Sequence, residues 1–300
     1  MNPIRKWLYD NRKRIMRLVL FIVGIIVLTQ LLNYFAKNKQ DKTDVNEADK
    51  ALGYAVMSES PVSDDIKNEI SDIIDNFFDY CNKGEIEKAY NMLSSNCKEK
   101  VYTSLDVFKR VFYDSNFETN KEHSIQAWVG DTYKVKIYED MLATGISVQD
   151  SLTTENYFTL VEENSEKKLN INGYVKTKEF EDIKGSTDNI EVEILQKDIY
   201  VDYEVYRVKV RNISDKDIML DSKENTKGMY ITNDRDVMFT AFSSELNINK
   251  LTIDSGAYKT IDIRFNNNYK IDKEIKSITF SQILLDLNDK TKTEKLIIKM

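Results

Sequence analysis

The feature that most restricts this chain is an apolar run behind a basic leader. The run reads Leu18-Val-Leu-Phe-Ile-Val-Gly-Ile-Ile-Val-Leu28 and continues to Ala36 without a charged side chain. A membrane-crossing helix needs about twenty mostly apolar residues, because each adds about 1.5 Å. The run meets that length, and a helix satisfies its own backbone hydrogen bonds in hydrocarbon. A single transmembrane helix over 18–36 is therefore expected. The leader holds Arg5, Lys6, Arg12, Lys13, Arg14 and Arg17 against one acid, Asp10, a net of +5. Positive flanks stay cytoplasmic, which puts residues 37–300 outside the cell membrane. A cleavable signal peptide shares this order, but its apolar core spans only about 7–15 residues and ends in small side chains. Here Tyr34 stands where a small residue is wanted, and no Cys follows to take a lipid. The expectation is a retained anchor, with the membrane itself as the partner of Leu18–Ala36.

The whole chain carries a formal −7, so residues 18–300 carry −12 once the +5 leader is set aside. Such an acidic body argues against nucleic acid and anionic wall polymers as partners. Two Pro and nine Gly exclude a collagenous or Pro-rich stalk. A hydrophobic share of 41% supplies ample core, and the length beyond the anchor fits two domains. Cys81 and Cys97 are the only cysteines. Each lies on an apolar helical face, which favours buried thiols, while a disulfide outside the membrane stays open. His123 is the only histidine, and a lone His with no positioned nucleophile is read as a strand-edge residue.

Residues 37–62 are polar and aperiodic and read as a linker. The unit expected over 63–182 opens with helices. Ile66, Ile70, Ile73, Ile74, Phe77, Phe78 and Cys81 form one stripe at the 3.6-residue period, with Ser63 as N-cap and Gly84 past the end. A second helix begins at Glu85 and a third after Ser104. Beyond Phe117 the period becomes two. Ile125, Ala127 and Val129 alternate, Gly130-Asp131 fits a hairpin turn, and strands follow at Asn156–Val161 and Leu169–Val175. Helices followed by antiparallel strands predict an α+β unit. Over 188–300 only strand patterns appear, including Ile248–Ile253, Tyr258–Phe265 and Ile275–Leu285, which predicts an all-β sandwich.

The segment Asn82-Lys-Gly-Glu-Ile-Glu-Lys-Ala-Tyr-Asn-Met-Leu93, between an amphipathic helix and antiparallel strands, resembles the cone-shaped, cystatin-like domain of the nuclear transport factor two-like superfamily. Gly84, Lys88, Ala89, Tyr90 and Leu93 carry the match. The segment from Tyr206 to Leu220 looks like the strand–turn–strand of bacterial envelope immunoglobulin-like modules. With the anchor, the arrangement is similar to the TcpC-type scaffold proteins of conjugation and type IV secretion machines in Gram-positive elements. Those have a second cone domain where this chain shows sandwich patterns. The resemblance implies envelope or secretion-machine proteins as partners, and self-association.

No P-loop, dinucleotide fingerprint, H-E-x-x-H, C-x-x-C or G-x-S-x-G occurs. The function expected is therefore a non-enzymatic, membrane-anchored extracytoplasmic scaffold, with no catalytic residue, cofactor or metal assigned. The alternative is a ligand-binding envelope sensor using the mouth of the cone, with Tyr80, Tyr90, Tyr102, Trp128 and Tyr157 as candidate lining residues. An enzyme would need an ionisable group there, drawn from Asp79, Tyr80, Tyr90, Tyr102 or His123. Asn233, Asp234 and Asp236 read as a strand-connecting turn rather than a cation loop.

Overall fold

The structure, a computed structural model, describes residues 64–139, 153–221, 228–271 and 273–300. The leader, the run Leu18–Ala36, the linker and the cap Ser63 lie outside the described residues.

Helix α1, Asp64–Asn82, buries Ile70, Ile74, Phe77, Phe78 and Cys81, the inward stripe set by the helical period. Gly84 ends it with φ 72°. The Gly84 N–H donates to the Cys81 carbonyl at 3.0 Å and the Glu85 N–H to the Tyr80 carbonyl at 2.8 Å. That pair of bonds satisfies carbonyls the helix leaves open, and glycine takes the left-handed φ without Cβ strain. Short helices follow: α2 Ile86–Asn91, α3 Ser95–Lys100 and α4 Leu105–Phe108. Ser94 Oγ accepts from the Cys97 N–H at 3.0 Å and Ser104 Oγ from the Val107 N–H at 3.2 Å, so α3 and α4 each start on a serine cap. A π-helical turn, Lys109–Tyr113, leads into α5, Asp114–Asn116.

The strands are β1 Lys121–Ala127, β2 Thr132–Glu139, β3 Thr154–Glu163, β4 Glu166–Asn170, β5 Tyr174–Glu179, β6 Lys184–Ser186, β7 Ile190–Tyr200, β8 Glu204–Asn212, β9 Ile218–Met219, β10 Met229–Asn233, β11 Met238–Thr240, β12 Thr252–Ile253, β13 Tyr258–Phe265, β14 Ile275–Leu284 and β15 Thr293–Lys299. A helix α6, Ile248–Leu251, precedes β12. The first sheet has the order β1-β2-β3-β4. The second runs β13-β8-β7-β5, with β6 also on β7. The third runs β11-β10-β14-β9-β12, with β15 on the other side of β14. Every strand pairing is antiparallel.

The helices and the first sheet enclose one core, in which Phe77 meets Phe108, Phe112 and Phe158 at ring separations of 6.3, 5.8 and 5.6 Å. The second and third sheets face a second core. Ile190, Val192 and Ile194 of β7 and Tyr206, Val208 and Val210 of β8 meet Ile231, Ile278, Phe280, Leu296 and Ile298 across it. Full burial of each such side chain contributes about 1.5–3 kcal/mol.

This architecture corrects the expected fold class. The expected anchor lies outside the described residues; in place of an α+β cone and a separate all-β immunoglobulin-like sandwich, these residues form a mostly β body of three antiparallel sheets with few helices. Among them no helix is long and apolar enough to cross a membrane. Two local causes are visible. Asn172 and Gly173 both take positive φ, 59° and 73°, and break the strand expected over Leu169–Val175 into β4 and β5. The chain thereby leaves the first sheet, and β5 pairs with β7 in the second. In the far half, Asn247 Oδ1 accepts from the Lys250 N–H at 2.7 Å and caps α6 where a strand Ile248–Ile253 was expected.

The two sheets close tightly where β6 approaches β15. A Cβ added to Gly185 would sit 2.7 Å from Ile298 Cγ1 and 3.3 Å from Leu296 Cδ1, both buried side chains. Gly185→Ala therefore overpacks the seam and is expected to destabilise by about 1–3 kcal/mol in urea unfolding. A wild-type midpoint would show that the seam yields.

Candidate functional site

The aromatic residues expected to line a pocket are spent on packing. Tyr102 is buried, its ring 5.3 Å from Phe108 in an edge-on contact, and burial pushes its hydroxyl well above the ordinary tyrosine pKa. Tyr90 donates its hydroxyl to the Tyr102 carbonyl at 2.9 Å and packs on Phe108, with Lys98 Nζ 4.9 Å from its ring. Tyr80 is half-buried, with Lys88 Nζ 5.4 Å from its ring. Trp128 meets Tyr157 edge-on at 5.3 Å. Tyr157 lies beside a separate small cluster of Val175, Ile199 and Val201. The five residues thus form two groups, Tyr80, Tyr90 and Tyr102 around the helical core, and Trp128 with Tyr157.

A polar depression of about 190 Å³ opens at one end of the first sheet, lined by Ser115, Asn116, Glu118, Lys121, Ile137, Glu139 and Thr154. None of the five aromatic residues lines it. It is smaller than the few hundred cubic ångströms of an ordinary small-molecule site.

His123 lies on β1, the outer strand of the first sheet. Its Nε2 is 2.8 Å from Asp75 Oδ1 and its ring stacks on Phe78 at 4.1 Å. Next to it, Asn82 accepts from the Lys121 N–H and donates to the Lys121 carbonyl, both at 2.9 Å. Together these contacts dock α1 against the strand. Asp79 is exposed and pairs with Lys83 one turn on. Cys81 and Cys97 are free, buried thiols. Burial raises both, Cys97 to about 12, so neither supplies a thiolate at neutral pH. Among the described residues no group of three or more metal-binding side chains converges. Asn233 Oδ1 accepts from the Arg235 and Val237 N–H groups at 3.1 and 2.8 Å, and Asp236 pairs with Lys276, which makes 233–237 a turn.

Two arrangements escaped the sequence reading. In the first, Lys197 Nζ lies 3.2 Å from Glu204 Oε1, while Tyr206 donates its hydroxyl to Glu204 Oε2 at 3.0 Å. All three are buried. Glu204 shares the inward parity of Tyr206, Val208 and Val210, and that placement was the available signal. Lys273, its ammonium 3.8 Å from the Phe239 ring, also feels this glutamate.

The second is the outer face of the third sheet. Alternation turns Ile231, Phe239, Ile278 and Ile298 to the core and their neighbours outward. The register then lays down two outward rows, Thr240–Tyr230–Thr279–Ile297 and Met238–Thr232–Ser277–Lys299. Seven of these eight positions are uncharged in a chain that is 31% charged. Met238 and Ile297 are 53% and 51% exposed. Ser277 and Thr279, in the middle of these rows, are buried.

The chain matches no protein-family model, no curated protein and no solved structure.

Lys273 gives this region a measurable signature. Burial lowers its pKa from 10.5 to about 8, with Glu204 opposing that and Lys270 and Lys197 adding to it. Between those values the unfolded chain binds more protons than the folded one, so this group's contribution to stability rises with pH. Wild type compared with Lys273→Met should therefore gain stability as pH goes from 8 to 10.5, read as the difference in urea midpoints. A difference independent of pH would contradict the burial argument.

Proposed function

We propose that this chain is a non-enzymatic scaffold or interaction protein working at the outer side of a cell membrane. The observation that carries the reading is the outer face of the third sheet, where seven of eight positions in two rows are uncharged and Met238 and Ile297 stand half-exposed. Exposed apolar patches rimmed by polar residues mark interaction sites. The packing of Tyr80, Tyr90 and Tyr102 on the helical core and of Tyr157 on the small cluster supports the same reading. So do the tyrosines and thiols that burial holds in their neutral forms, as packing groups. The membrane part of the proposal rests on the sequence of residues 1–36 alone. Envelope or secretion-machine proteins are the partners proposed.

Crosslinking with mass spectrometry on intact cells tests this. Reproducible crosslinks to envelope proteins are expected, and Met238→Asp should deplete them without lowering the thermal midpoint. Full-length protein found in the cytosolic fraction, with no envelope crosslinks, would overturn the proposal.

A further inference from the structure

We infer that Asn172-Gly173 is a self-modification site, at which the asparagine loses its side-chain amide to water when the turn around it opens. The pair passes the chain from the first sheet to the second, and the isoaspartate formed there loosens that joint.

An asparagine followed by glycine closes on itself with unusual ease, because glycine has no side chain to hold its backbone nitrogen away from the asparagine Cγ. Asn172-Gly173 is the one such pair in the chain. Asn172 is exposed, so solvent reaches its amide. Both residues take positive φ, 59° and 73°, and the Tyr174 N–H donates to the Ile171 carbonyl at 3.3 Å. Residues 171–174 are therefore a β-turn with left-handed central residues. Among the described residues, a Cβ at Gly173 would meet nothing within 4 Å, so φ and not space asks for glycine there.

The reaction needs only water. The Gly173 backbone nitrogen attacks Asn172 Cγ and forms a new N–C bond. The Cγ–Nδ2 bond breaks, and ammonia leaves with the proton that Gly173 gave up. Water then opens the cyclic imide. Addition at Cγ leaves aspartate. Addition at the main-chain carbonyl leaves isoaspartate, whose backbone runs through Cβ and Cγ and is longer by one methylene.

The fold holds this reaction back. The Gly173 N–H, the nucleophile, donates to the Tyr157 carbonyl at 3.1 Å, and the Asn172 N–H donates to Asn156 Oδ1 at 2.9 Å. Asn156 Oδ1 also accepts from the Tyr157 N–H at 2.7 Å, so one side chain of β3 seats the turn. On the other side, the Gly173 carbonyl accepts from the Val201 N–H at 2.8 Å. An amide committed to a carbonyl is free neither to lose its proton nor to swing onto Cγ. Ring closure therefore waits for a local opening. Once isoaspartate has formed, the longer backbone no longer matches the Tyr157 carbonyl, Asn156 Oδ1 and the Val201 N–H together. The damage falls where β4 of the first sheet gives way to β5 of the second.

The test is incubation of the full-length protein in detergent at mildly alkaline pH. Peptide mapping by mass spectrometry locates the new acid, and isoaspartyl methyltransferase labelling identifies isoaspartate. Conversion is expected at position 172 before any other asparagine, and about tenfold or more slowly in the folded protein than in urea. Asn156→Ala should speed it in the folded protein and leave the rate in urea unchanged, while Asn172→Gln should abolish it. Where Asn156→Ala lowers folding yield, hydrogen exchange of the wild-type Gly173 N–H keeps the gate testable, since conversion should rise with urea in step with that exchange. The converted protein, once isolated, should exchange its β5 amides faster than the amide form. Acid appearing first at another asparagine would overturn the site, and so would a folded protein that keeps its amide in wild type and Asn156→Ala alike. Equal rates with and without urea, or conversion that ignores Gly173 exchange, would overturn the gate. Unchanged β5 exchange after conversion would overturn the loosening.

Discussion

The pairing of β5 with β7 is the interaction on which the rest of this body depends. Residues Lys176 to Glu179 lie opposite Ile199 to Gln196, and Tyr174 opposite Tyr200, with a register shift between Tyr174 and Lys176. That strand follows the first sheet in the chain but hydrogen-bonds into the second. Tyr174 and Tyr200, 5.4 Å apart, reach back into the helical core. One ladder thus joins two cores. The polar side of the ladder is also satisfied: Thr177 bridges the Tyr174 hydroxyl and the Asp198 carboxylate, and Gln196 donates to the same carboxylate at 3.1 Å. Burying those groups without partners would cost several kcal/mol.

Strand β7 can serve both cores because it is bulged. Its register with β8 shifts between Ile194 and Gln196. Before the shift Ile190, Val192 and Ile194 face the two-sheet core; after it, Tyr200 packs against the helical core and Ile199 joins a separate small cluster. Bulges bend a strand and re-aim its side chains. Lys197 and Glu204 flank the hairpin that returns from this bend, and Tyr206 completes their hydrogen bonding. A buried ion pair adds little net stability, yet removing one partner strands a charge, so the pair fixes where the hairpin sits.

Local periodicity made much of this body legible. The stripe Ile70, Ile74, Phe77, Phe78, Cys81 is the buried face of α1, Gly84 ends the helix, and Gly130, at φ 57°, lies in the turn between β1 and β2. Tyr258–Phe265 and Ile275–Leu284 are strands where alternation put them. What was not legible is which sheet each strand joins. Period two says that a segment alternates, not with which neighbour it pairs, so the transfer of β5 was invisible until Asn172 and Gly173 were seen to turn the chain. Helix α6 was misread because Ile248 and Leu251 suit either period and only the Asn247 cap decides. The packing of the aromatic residues was not legible for a related reason: a tyrosine stripe fits a cavity wall and a core equally well. The outer rows of the third sheet were hidden too, because their uncharged character exists only across four strands and never along one.

The sheet edges of this body are largely engaged. Unpaired strand edges recruit other strands indiscriminately. Here Asn82 takes the Lys121 N–H and carbonyl on the outer side of β1. On β4, the Leu169 carbonyl accepts from Ser94 N–H at 3.0 Å and its N–H donates to Met92 at 2.9 Å. On β13, the Phe242 N–H donates to the Arg264 carbonyl at 2.9 Å, and Lys259 reaches across to the Thr252 carbonyl at 2.7 Å. Arg264 itself is held between the rings of Tyr203 and Phe242, at 3.6 and 4.3 Å. Strand β11 is only three residues long, and β15 has two lysines beside Ile297. Backbone hydrogen bonding to a stray strand is thereby blunted on several sides. Side chains on a sheet face, unlike a bare edge, discriminate by shape and charge. Edges engaged in this way leave recognition to contacts that side chains can specify.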